Sequence, residues 1–115
     1  MFDFKKLIVY QKARDFALTT TELLANNKFD KAVNDQLRRA SLSIMLNIAE
    51  GSSRFSNKDR KNFMVVARGS AFECSAIFDF LHASKLISTE VQLSLDNQLE
   101  EISKMLYALI EKLDK

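Results

Sequence analysis

QLRRASLSIMLNIAEGSSR, residues 36–54, decides how this chain folds. Leu37, Ala40, Ile44 and Ile48 recur at steps of three and four, the spacing that gathers side chains into one stripe of an α-helix. Val33 extends the stripe backwards, and Asp30 stands where a helix cap is expected. Gly51 follows the last apolar residue, at the place a left-handed terminating residue is wanted. Beside the stripe, at about 100° per residue, Arg39, Ser43, Asn47 and Glu50 fall on one line. They are candidates for a catalytic site, a ligand site or a polar seam between helices.

Three more helical patterns flank this one. Upstream, Val9, Ala13, Phe16, Ala17, Thr20, Leu23 and Leu24 predict a helix from about residue 6 to 25. Downstream, Ser56 and Asp59 have the spacing of a capping box. They predict a third helix to about Leu86, with Phe63, Val66, Ala67, Ser70, Cys74, Ile77 and Leu81 facing the core. Thr89 and Gln92 repeat the capping spacing ahead of Val91, Leu95, Leu99, Ile102, Leu106, Leu109 and Leu113. Short connections between long helices favour antiparallel neighbours. The expected fold is all-α: one domain over residues 1–115, an up-down-up-down four-helix bundle.

Composition agrees with that architecture. The chain has 115 residues, no proline and two glycines, too few turn residues for a sheet-rich fold. Its single cysteine, Cys74, allows no internal disulfide and no zinc cluster. No charge-free apolar run approaches the ~18 residues of a membrane span. The opening MFDFKKLIVYQKARD meets charges too early for a secretory signal. A cytoplasmic location with no membrane contact is expected. Charge is uneven: residues 1–72 hold 13 Lys/Arg against 7 Asp/Glu, and residues 73–115 hold 4 against 8. One part of the surface can therefore face an anionic partner.

No catalytic residue, metal ligand or cofactor site stands out. The only histidine, His82, has no cysteine or serine at useful spacing and no carboxylate cluster beside it. A polar seam is the preferred reading of the line on the second helix, with Glu50 pairing Arg39 or Arg54. Gly69 and Ser70 on the third helix fit such a seam. A mid-helix glycine costs about 1 kcal/mol relative to alanine, so close approach by the second helix is expected at Gly69, with Glu73 reaching Arg39. Leu42, Met45 and Leu46 lie off the second helix's inner stripe, as Val65, Phe72 and Phe80 lie off the third's. Helices apolar on two sides are buried on two sides, which predicts a homo-oligomer through Leu42, Met45, Leu46 and Phe72.

The blocks QLRRASLSI, NIAEGSSR and RGSAFE (68–73), with FKKLIVYQKA at 4–13, resemble the bacterial four helix bundle protein family. That family is also called the 23S ribosomal RNA intervening-sequence protein family. The chain is similar as well to the accessory variability determinant of diversity-generating retroelements. The resemblance implies a four-helix bundle assembled as a pentameric ring, with no enzymatic activity. It also implies a basic surface contacting RNA or DNA, and a protein partner such as a reverse transcriptase. By position, its blocks cover Arg39, Asn47, Glu50, Gly51, Arg54, Gly69, Ser70 and Glu73. The chain departs where the family usually has SIPSNIAEG: Met45 and Leu46 replace the proline and a small residue, so the second helix escapes a proline kink.

On the third helix, extended back to Arg54, the cations Arg54, Lys58, Lys61 and Arg68 share the side opposite the core, with Val65 and Phe72 among them. Such a row suits a phosphate backbone, and an aromatic can stack on an unpaired base. The plain alternative is a solvated helix face with Phe72 against a neighbouring subunit. The leading expectation is a non-catalytic nucleic-acid-binding accessory protein. A homo-oligomeric protein-interaction scaffold without direct nucleic-acid contact is the alternative.

Overall fold

The computed structural model describes residues 2–115; Met1 of the expected domain lies outside them. A short 3-10 turn, Asp3–Lys6, leads into four helices: α1 (Ile8–Asn26), α2 (Lys31–Ser52), α3 (Asn57–Ala83) and α4 (Thr89–Leu113). There is no strand among the described residues. Helices packed in chain order form a rod of 44 × 25 × 22 Å. Cross-links running in opposite sequence directions make neighbours antiparallel. Gln36 meets Glu73 while Ser43 meets Ser70, and Lys61 meets Asp114 while Ser75 meets Asp96.

Local contacts set the starts of α3 and α4 and the end of α3. Ser56 caps α3, its hydroxyl accepting from the Asp59 N–H at 3.1 Å. At α4 the cap is Ser88, accepting from the Val91 N–H, rather than the expected Thr89–Gln92 pair. Asp30 precedes α2 without a side-chain capping bond. The left-handed terminator is not Gly51, which has no positive φ, but Lys85, with φ 62° after α3. There the Leu86 N–H reaches the Leu81 carbonyl and the Lys85 N–H reaches that of His82, closing α3 with a Schellman motif.

The core follows the expected stripes on three helices. Ala13 and Phe16 of α1, Leu37, Ile44 and Ile48 of α2, and Leu99, Ile102 and Leu106 of α4 are buried. On α3 the stripe is rotated from its expected position. Met64, Ala67, Ala71, Cys74, Phe78 and Leu81 point inward, while Val66 is exposed and Phe63, Ser70 and Ile77 are only partly covered. Phe78 packs edge-on against Phe16 across the core, centroids 6.1 Å apart, a favourable geometry for two rings. Burial, helped by the charge of Glu73, pushes the Cys74 thiol up to about 12, so it stays protonated and unreactive near neutrality.

Candidate nucleic-acid interface and polar seam

The α2–α3 contact contains a polar seam, built partly from the expected residues. Ser43 Oγ and Ser70 Oγ lie 2.8 Å apart, bridging the helices. Asn47 Nδ2 donates to the Ser43 carbonyl and hydroxyl at 2.8 and 2.9 Å, which fixes the serine's orientation. One end of the seam is held by Gln36, which donates to Glu73. At the other end Glu50 pairs with Arg54 at 2.8 Å. Arg39 is the exception: it is exposed and has no ion pair among the described residues. Both Arg39 and Glu50 lie on α2, about 16 Å apart along its axis, and Glu73 accepts from Gln36 instead.

The two glycines exchange the roles expected of them. A Cβ on Gly51 would lie 2.8 Å from Phe63 Cβ and 3.0 Å from Met64 Cε, so Gly51 is where α2 and α3 approach closely. A Cβ on Gly69 would meet nothing within 4 Å. Gly69 faces outward, and no second helix of this chain visits it.

Of the four cations expected to form a stripe, α3 carries only three. Arg54 lies in the α2–α3 connection, where its carbonyl accepts from Arg60 Nε at 2.7 Å and its guanidinium sits 4.6 Å from the Phe63 ring centre. Its charge is also engaged by Glu50. Lys61 is bound to Asp114 at 2.6 Å. Lys58 and Arg68 have no ion pair among the described residues. The Arg68 guanidinium carbon lies 4.8 Å from the Phe72 ring centre and 5.7 Å from that of Tyr107, and its buried Nε has no acceptor. Stacking of this kind holds a guanidinium in place without neutralising it.

Gln36, Asp114 and Tyr107 are the residues sequence reasoning missed. Tyr107 offered one signal, an aromatic off the inner stripe of α4, and it is half-exposed. Leu42, Leu46, Val65, Val66, Phe72 and Phe80 are all exposed. Met45 instead packs against the core from the side. His82 Nε2 is 2.9 Å from Thr89 Oγ1 and ties the end of α3 to the start of α4. No group of three His, Cys, Asp or Glu that could hold a metal occurs among the described residues. None of their helices is long and apolar enough to cross a membrane.

Comparison with known proteins places this geometry. The family described as 23S rRNA-intervening sequence protein matches residues 5–108. A crystal structure of a protein of unknown function from the S23 ribosomal protein family of Bacteroides thetaiotaomicron VPI-5482 is similar, with a TM-score of 0.85 and 28% identity. The match covers 90% of this chain and 98% of that one. No curated protein matches the chain.

Proposed function

The chain belongs to the 23S rRNA-intervening sequence protein family, and from that premise we propose that it is a non-catalytic nucleic-acid-binding accessory protein working as a homo-oligomer. The observation that carries the reading is Arg68, a guanidinium 4.8 and 5.7 Å from the Phe72 and Tyr107 ring centres with no carboxylate partner among the described residues. Lys58, exposed on the same helix and without an ion pair among the described residues, supplies a second phosphate contact. Arg54 and Lys61 contribute less, because Glu50 and Asp114 already hold them. Repetition of two weak contacts around a pentameric ring multiplies affinity when one nucleic acid spans several copies.

Binding of a fluorescent RNA hairpin, and of duplex DNA of equal length, is to be measured between about 50 and 200 mM salt. The wild type should lose affinity steeply with salt. Replacing both Lys58 and Arg68 by Gln should flatten that dependence while leaving the fold and mass intact. Equal binding by the variant would sink the assignment.

A second reading, a protein-interaction scaffold without nucleic-acid contact, is favoured by the neutralised state of Arg54 and Lys61 and by the apolar outer faces of α2 and α3. A captured partner, such as a reverse transcriptase, that survives nuclease treatment would support it. One released by nuclease would favour the first reading.

A further inference from the structure

We propose that Arg39 of one copy docks in the acidic groove between α3 and α4 of the next, and that this head-to-tail contact joins successive copies of the assembly. The inference rests on the homo-oligomer reading above and adds to it which faces meet. The groove has a volume of about 160 Å³ and is lined by Phe72, Ser75, Asp96, Leu99, Glu100 and Ser103, among others. Ser75 Oγ donates to Asp96 at 2.9 Å and fixes that carboxylate at the groove wall. Neither Asp96 nor Glu100 has an ion pair among the described residues. The groove therefore presents two carboxylates without an ion pair, beside the Phe72 ring that the Arg68 guanidinium approaches at 4.8 Å, and the carboxylates suit a guanidinium from outside.

Arg39 is the matching cation. Its neighbour Arg38 turns to Asp35, but Arg39 stands exposed with no ion pair among the described residues. The register of the bundle brings the two features to one height. The Gln36–Glu73 and Ser43–Ser70 bonds place Arg39 level with residues 70–73 of α3. The Ser75–Asp96 bond places the groove next to that level. Two copies standing side by side with their bundles parallel then bring Arg39 of one opposite Asp96 and Glu100 of the other.

The same register aligns the apolar residues. Because α2 and α3 run antiparallel, Leu42 falls level with Gly69, and Leu46 with Val65 and Val66. All five are exposed in the single chain. The open space over Gly69 admits a large side chain from outside, which gives the mid-helix glycine a use the isolated bundle does not provide. A basic and apolar α2 face meeting an acidic and apolar α3–α4 face is a heterologous contact, and its repetition closes a ring when the rotation between copies allows it.

Charge reversal tests this contact on the full chain by sedimentation velocity over a concentration series. Arg39→Glu and Glu100→Arg, each at an exposed site, should leave the thermal melt unchanged and raise the concentration needed for assembly roughly tenfold or more. The double variant, with the charges exchanged, should recover wild-type assembly. Assembly unaffected by Arg39→Glu but lost in Leu46→Asp would overturn this contact and leave the homo-oligomer standing. A double variant no better than either single one would also overturn it. A wild type that stays monomeric would remove the homo-oligomer and this contact together.

Discussion

Phe78 and Phe80 sit two residues apart on α3 and occupy opposite environments. Phe78 is 0% exposed and packs on Phe16, whereas Phe80 is 57% exposed. The two glycines repeat the contrast: Gly51 is pressed against Phe63 and Met64, and Gly69 looks onto open space. The inward side of α2 and α3 is thus closed within the chain. Their outward side carries Leu42, Leu46, Val65, Val66, Phe72 and Phe80, all exposed among the described residues. Such a face is costly to leave in water, so the difference marks the surface that the proposed assembly would cover.

That contrast can be broken by substitution. The largest effect is expected for Phe78→Ala, which empties a fully buried site and should destabilise by about 3–5 kcal/mol in chemical denaturation. Phe80→Ser should change the stability of the single chain by less than about 0.5 kcal/mol, with its cost read in assembly. Equal losses for the two would mean the outward face is closed as well. Gly51→Ala comes next, at about 1–3 kcal/mol, because a new methyl must displace Phe63 and Met64. Gly69→Ala should do the opposite, raising single-chain stability by up to about 1 kcal/mol through helix propensity. The same variant should assemble less well. Loss of single-chain stability at Gly69 would mean that its surroundings are already filled.

Much of this was legible before the structure. The stripe of α4 has one phase, and that of α2 keeps steps of three and four despite Leu42 and Leu46 on its outer side, so Leu37, Ile44, Ile48, Leu99, Ile102 and Leu106 face inward as expected. On α3 the period is ambiguous, because apolar residues occupy both faces. Spacing alone therefore points Val66 inward, whereas it is exposed and Met64 and Phe78 fill the core. The serine–asparagine part of the seam was legible from helical spacing. Its charged ends were less so: helical rise alone sets Arg39 about 16 Å from Glu50 and leaves Arg54, four residues on, as its partner, but choosing Gln36 over Arg39 for Glu73 depends on the α2–α3 register. The basic row suffered from the same dependence. Asp114, which neutralises Lys61, is distant in sequence and reaches it only because α4 returns antiparallel to α3.

The claim on which the rest depends is that the outward face of α2 and α3 is covered by further copies of the chain. Sedimentation equilibrium of the full protein across a wide concentration range tests it most directly. The account predicts a mass several times the 13.2 kDa of one chain, falling towards one chain when Leu46 and Phe72 are both replaced by Asp. A single 13.2 kDa species at every concentration would contradict it.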